Sequence, residues 1–273
     1  AEPLLPAKYT SADIGRVTSG AVNTLLGKVY LTKGDKSSAI TALNKVVDSK
    51  NYSLATDYAK LWGAANENGP ESIFEIQYKT GGQGEGSGYF EYFTSIIGRA
   101  GGVGGGNAPM NMTPDLLAAY KAGDLRFTKS VFTNRRTPDT TYSLKYISTQ
   151  TTTFDGDNNW YVSRYADVLL MLSEALGESA QAYTYINQVR ARAGLPAISA
   201  TTAGTFAQKL LDERRIEFAL ENQRWQDLLR FGVAKSVMAK QLAVPEASIR
   251  LLFAIPQKEI DVSNGKLVQN PGL

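Results

Sequence analysis

In the segment LLDERRIEFALENQRWQDLLRFG (Leu210–Gly232), Arg214, Glu217, Glu221 and Arg224 recur at three- and four-residue spacing. On a helix turning about 100° per residue, this puts two carboxylates one turn apart, the equipment of a glycosidase's acid and base. The same geometry brings Arg214 within reach of Glu217 and Arg224 within reach of Glu221. Guanidinium neighbours hold carboxylates ionised and oppose the raised pKa of a general acid. The four residues therefore read as a structural ion-pair network, and no residue is assigned a catalytic role. Phe218, Trp225 and Leu229 share one stripe beside them, with Leu210 and Leu228 adjacent, which predicts a single helix over residues 205–232.

A second polar constellation is FDGDNNW, in which Asp155, Asp157 and Asn159 alternate like the oxygen ligands of a calcium loop. The Gly and distal Glu of an EF-hand are misplaced, so a turn is the reading, with a structural calcium as the one cation such a loop could hold. No other cofactor is expected. The chain contains neither Cys nor His. Disulfides, thiol nucleophiles, zinc–thiolate sites, imidazole ligands and Ser-His-Asp machinery are excluded. Net charge is only +3 with scattered basic residues, which argues against nucleic acid. No apolar run reaches the roughly 20 residues that span a bilayer. The N-terminus, AEPLLPAKYTSADIG, has no basic-then-apolar leader and reads like the middle of a longer polypeptide.

The elements that must position these groups are helical. Residues 16–32 carry a wide apolar face, Gly34-Asp35 breaks it, and Ala39, Ile40, Leu43, Val46 and Val47 resume it. Leu26, Gly27, Tyr30 and Ala39 match four anchor positions of a tetratricopeptide hairpin, which needs further helices to cover it. SIFEIQY reads as a short strand or crossing segment. Thr113 and Pro114 start a short helix that runs to about Phe127. The continuous apolar run in YADVLLMLSEALG implies a helix covered on most sides, and AYTYINQVRARAG a helix stopped at Gly194. Between these lies a compositional outlier. Gly81–Gly106 holds 11 glycines among 26 residues and the aromatic island Tyr89-Phe90-Glu91-Tyr92-Phe93. GGVGGG lacks the Lys-Ser/Thr of a phosphate-binding loop.

The expectation is an all-α, mainly helical fold with little β. It forms a single domain over 1–273, with 81–160 as an irregular ligand-binding insertion.

The segments GRVTSGAVNTLLGKVYLTKGD, YADVLLMLSEAL, INQVRARAGLP, DERRIEFALENQRWQDLLRFG, LFAIPQKEID and QNPGL resemble, in consistent order, signature segments of the SusD/RagB family. Those proteins are outer-membrane, nutrient-binding lipoproteins of Bacteroidetes. The resemblance implies tetratricopeptide-like helix pairs and non-enzymatic capture of oligosaccharide or another nutrient at the cell surface. It also implies a SusC-like TonB-dependent transporter as partner, and contact with the membrane only through a lipid anchor. The family's N-terminal portion, with its lipid-carrying Cys and first repeats, is missing from this sequence.

These family motifs place no ligand residues. Sugar rings stack on aromatic faces while their hydroxyls pair with Asp, Asn and Arg, so loops carrying both are the candidates. GSGYFEYF and DGDNNWY qualify. Tyr89, Tyr92 and Trp160 are the expected platform, and Asn107, Asp155, Asp157, Asn158 and Asn159 the hydrogen-bonding groups. Phe90 and Phe93 read as anchors of the loop, and Trp62 and Trp225 as helix packing. The competing function is a tetratricopeptide scaffold gripping a linear peptide.

Overall fold

A computed structural model describes residues 2–93, 110–133, 141–148 and 152–272. It opens on the hairpin the sequence predicts, α1 (Ser19–Thr32) and α2 (Lys36–Asp48). Thr18 Oγ1 accepts Ala21 N–H at 3.2 Å and Asp35 Oδ1 accepts Ser38 N–H at 3.0 Å, so both helices begin on capped ends. Gly34, at φ 79°, supplies the left-handed turn between them. Gly27 lets the helices touch: a Cβ there would lie 2.4 Å from Leu43 Cδ2.

The remaining helices among the described residues are α3 (Tyr89–Phe93), α4 (Pro114–Ala119), α5 (Leu125–Ser130), α6 (Tyr165–Leu176), α7 (Ala180–Arg192), α8 (Phe206–Glu217), α9 (Arg224–Arg230), α10 (Ala234–Leu242) and α11 (Gln257–Val262). The fold is mostly helical, as expected. The partners that the first hairpin requires are supplied by α6, whose Val168, Met171 and Leu172 join Ala39, Leu43 and Val46 in one buried cluster. α6 is apolar nearly all round because α2, α7 and α8 all pack on it. On the outer side of α1, Leu25 and Val29 are exposed.

Four short strands complete the described residues: β1 (Ser72–Ile76), β2 (Val131–Thr133), β3 (Thr141–Ser143) and β4 (Trp160–Arg164). β1 and β4 pair antiparallel with Ile76 opposite Trp160, and β2 pairs with β3. Ser87 and Gly156 add an isolated bridge through reciprocal backbone hydrogen bonds of 2.8 and 2.9 Å. β4, which carries Trp160, is not among the elements predicted from sequence. Its alternation is hidden in sequence because the strand is five residues long and runs into the apolar start of α6.

Two further boundaries differ. Thr113 caps α4 as expected, but Gly123 at φ 82° and the Asp124 cap start a separate α5, so Arg126 and Phe127 belong to it. The helix expected over 205–232 is broken after Glu217, where Leu220 (φ 65°) and Asn222 (φ 57°) turn left-handed before α9. The break ends the common stripe, and Trp225 and Leu229 are exposed.

The chain, read from sequence as one domain, divides into two compact units, Ala1–Asn222 and Gln223–Leu273. The second unit comprises α9 to α11 and the C-terminal segment. Its tail motifs hold each other: Gln269 exchanges hydrogen bonds of 2.8 and 3.0 Å with the Ile255 backbone, and Asn270 Nδ2 donates to Phe253 O at 2.7 Å.

Gly27→Ala tests the hairpin contact. Overpacking against Leu43 costs about 1–3 kcal/mol, against a helix-propensity gain of about 1 kcal/mol. The expected outcome in urea unfolding is a net loss of about 1–2 kcal/mol at unchanged m-value.

Candidate functional site

Glu217, the last residue of α8, is fully buried and lies at the centre of a charge cluster. Arg164 Nη1 donates to its Oε1 at 2.5 Å, Arg126 Nη1 to its Oε2 at 2.9 Å, and Arg192 Nη2 forms a further short contact with Oε1. Arg164 also donates to Glu71 at 2.7 Å and to both oxygens of Glu221 at 2.8 and 3.0 Å. Arg126 reaches Asp124 and Glu213, Arg192 reaches Glu71, and Arg190 reaches Glu213. With Lys145 on Glu221 at 2.8 Å, five cations meet five carboxylates among the described residues. Burial by itself would raise the Glu217 pKa, but Arg192, Arg164 and Arg126 together hold it well below the usual carboxylate range.

The cluster also explains why α8 stops. Arg164 Nη2 and the Tyr58 hydroxyl donate to Glu217 O at 2.8 and 3.2 Å, Lys145 Nζ to Ala219 O at 2.8 Å, and the Tyr146 hydroxyl to Leu220 O at 2.7 Å. Cationic and phenolic donors from distant segments take carbonyls that a continuing helix would have used.

The partners expected from helical spacing are therefore corrected. Arg214 Nη1 pairs with Asp167 of α6 at 2.9 Å, and Lys28 completes that carboxylate at 3.0 Å. Glu217 and Glu221 take their cations from α5, α7, β4 and the Lys145 turn, while Arg224 opens α9 in the second unit. A buried, neutralised Glu217 lacks the raised pKa and solvent access of a glycosidase acid.

Lys145 and Tyr146 connect this cluster to the aromatic insertion. Lys145 Nζ lies 4.6 Å from the Trp62 ring, and Trp62 in turn packs against Tyr58, Tyr146 and Tyr161. Tyr146 stacks on Trp160 at 5.4 Å with planes 9° apart. Tyr89 lies 4.4 Å from Trp160, and Phe93 lies 4.5 Å from Tyr146. Tyr89 and Trp160 are half-buried. Tyr92 is more open at 46% exposure and stands 5.7 Å from Phe154. Phe90 is buried.

The expected hydrogen-bonding groups are placed differently from the rings. Asp155 Oδ2 accepts from Thr80 Oγ1, Gly81 N and Gly82 N at 2.9–3.0 Å, and Asp157 Oδ1 accepts from Thr80 N at 2.9 Å. Asn159 Oδ1 accepts Tyr78 N–H at 2.7 Å, while its Nδ2 donates to Glu75 and Gln77 at 3.0 Å. These side chains bind the 78–82 backbone to the 155–159 turn, as Asp and Asn in a glycine-rich turn satisfy nearby backbone donors. Asn158 is buried, and its amide finds no hydrogen-bond partner among the described residues. Asn107 lies outside the described residues. No cluster of three or more acidic groups placed to hold a metal occurs among the described residues.

Sequence reasoning missed Tyr146, Lys145 and Glu67. Glu67 Oε1 accepts Asn159 N–H at 2.6 Å, yet burial, reinforced by Glu75 and Asp157, pushes its carboxyl up to about 7. It also missed a cleft of about 380 Å³ between the N-terminal segment and β1, lined by Tyr9, Arg16, Tyr52, Asn68 and Glu75. There Tyr52 OH is paired with Thr18, and both Glu75 oxygens accept hydrogen bonds from Asn68 and Asn159.

Comparison with known proteins bears on this geometry. A model of the SusD family matches residues 126–273, more than half of the chain. SusD-like protein P2 of Formosa agariphila is 27% identical over 98% of this chain and 60% of its own length. A SusD-like protein of Bacteroides ovatus, also 27% identical, covers 80% of this chain and 46% of its own length. The chain thus spans well under two thirds of the curated relatives it matches. Among solved structures, surface glycan-binding protein A from Bacteroides thetaiotaomicron superposes with a TM-score of 0.80 at 25% identity, covering 98% of this chain and 67% of that one. A laminarin binding SusD-like protein gives 0.79 at 28% identity, covering 98% and 66%.

Two measurements test the electrostatics. Glu217→Gln leaves buried guanidiniums undercompensated and should cost about 3–5 kcal/mol at pH 7. A carboxylate held low in the fold stabilises above its unfolded pKa of about 4.3 and loses that contribution as pH falls. Acid unfolding of Glu217→Gln should therefore be flatter below about pH 4.5 than that of the parent. Glu67 carries the opposite sign. With its folded pKa raised, it is protonated and harmless at about pH 5 and ionised and uncompensated at about pH 8. Glu67→Gln should raise Tm more at about pH 8 than at about pH 5, and equal shifts would refute the assignment.

Proposed function

Since the chain belongs to the SusD family, we propose that it binds oligosaccharide without turning it over, as the glycan-holding part of a cell-surface receptor. In this reading the receptor stands at the outer membrane, held by a lipid anchor. It passes its ligand to a TonB-dependent transporter of the SusC type. The observation that carries the reading is the half-exposed Tyr89–Trp160 pair, 4.4 Å apart and backed by Tyr146. Rings fixed from behind offer a sugar a preformed face, so little side-chain entropy is lost on binding. The names of two similar solved proteins, one a surface glycan-binding protein and one laminarin binding, support a polysaccharide ligand. The non-enzymatic reading is supported by the burial of Glu217 and Glu221 in ion pairs.

Isothermal titration with laminarin-derived oligosaccharides and a panel of other glycans tests the proposal. Saturable binding with no new reducing ends is expected. Tyr89→Ala and Trp160→Ala should each weaken it by about 0.5–1.5 kcal/mol. Binding unchanged in both variants would remove this platform, and release of reducing ends would remove the non-enzymatic reading.

A further inference from the structure

Phe154 is placed at two disadvantages at once. Its backbone sits at φ 60°, a left-handed conformation that bulky side chains seldom adopt, and the residue is 53% exposed, so burial offsets only part of the strain. The other described non-glycine residues with positive φ each have a local reason. Asn68, Asn222 and Asn264 tolerate that region, Lys50 and Ala243 follow helix ends, and Leu220 leaves α8 with its carbonyl held by Tyr146.

The strained conformation is held from several sides. Buried Glu91 accepts the Phe154 N–H at 3.0 Å, and the next residue, Asp155, is locked by Thr80, Gly81 and Gly82. The ring this presents stands 5.7 Å from that of Tyr92, with planes 55° apart. Gly88 lies against both, since a Cβ there would come within 3.0 Å of Phe154 Cδ1 and 3.4 Å of Tyr92 Cε2. Thr152 and Thr153, also exposed, directly precede Phe154 in the chain. Two exposed aromatic residues beside a glycine and next to two threonines suit the C–H face of a sugar.

We propose that Phe154 and Tyr92 form a second glycan-stacking subsite, in which a pyranose lies on the Phe154 face and the Tyr92 hydroxyl hydrogen-bonds the same sugar or its neighbour. The proposal rests on the oligosaccharide-binding reading above. Tyr89 and Tyr92 are three residues apart on α3, about 5–6 Å between Cβ atoms, so one chain of a few sugars can engage both pairs.

The test uses Phe154→Asn, which accepts the left-handed backbone and removes the ring, and Tyr92→Ala, which changes an exposed ring only. Thermal melts are combined with titrations of laminarin-derived di- and hexasaccharides. Phe154→Asn should melt at or above the parent temperature. Both variants should weaken hexasaccharide binding about two- to tenfold, the range expected for one lost stack, while leaving the disaccharide affinity unchanged. Parental affinity for the hexasaccharide in both variants, with Tyr89→Ala still weakened, overturns this subsite and leaves the first platform standing. A lower Tm for Phe154→Asn overturns the strain argument. A parent that binds no glycan overturns both readings.

Discussion

At the centre of the charge cluster in the first unit stands a carboxylate, Glu217, taken completely out of water. Isolated, such a group would be neutral or the fold would fail, because desolvating an ion in a protein interior costs several kcal/mol. Here three guanidiniums from α5, β4 and α7 converge on it, and each is itself completed by another carboxylate. The five cations and five carboxylates of the cluster balance. A network of this kind tolerates the loss of one member badly, since removing any partner leaves a buried charge uncompensated. It thereby ties together the Glu71 turn, α5, the Lys145 turn, β4, α7 and the end of α8.

The consequence reaches the surface through aromatic rings. Lys145 and Tyr146 are neighbours in sequence with different tasks. Lys145 holds the carbonyls at the end of α8, and Tyr146 forms the underside of the Trp160–Tyr89 stack while its own hydroxyl holds Leu220 O. An insertion rich in glycine would ordinarily be a poor place for a binding face, because each ordered glycine loses more backbone entropy than any other residue. The stack is ordered all the same. Its rear is attached to the charge cluster, and its flanks are tied by Asp155, Asp157 and Asn159 to the 78–82 backbone. The acidic turn thus braces the backbone on which these rings are carried.

The features legible in sequence were the local ones. The cap at Thr113, the α1–α2 hairpin, the covered α6 and the stop at Gly194 all follow from side chains acting within four residues or from helical periodicity. The aromatic island was likewise visible as a compositional break. Phe154 was not, because nothing in FDGDNNW says that its phenylalanine would be left-handed and exposed. β4 was lost because five residues give too short a pattern to separate from the helix that follows.

By itself the sequence determined the class of fold, the exclusion of thiol and imidazole chemistry, and the segments that could offer rings to a ligand. Tertiary structure alone decided which acid meets which base. The spacing of Arg214, Glu217, Glu221 and Arg224 suggested pairs within one helix, yet the cations on Glu217 come from residues 25, 53 and 91 positions away. The reason is physical. Helical pairing between exposed neighbours contributes only a few tenths of a kcal/mol, whereas satisfying a desolvated carboxylate and the open carbonyls of a helix end contributes several times more. Where the two compete, the distant partners win, and the helix ends where they meet it.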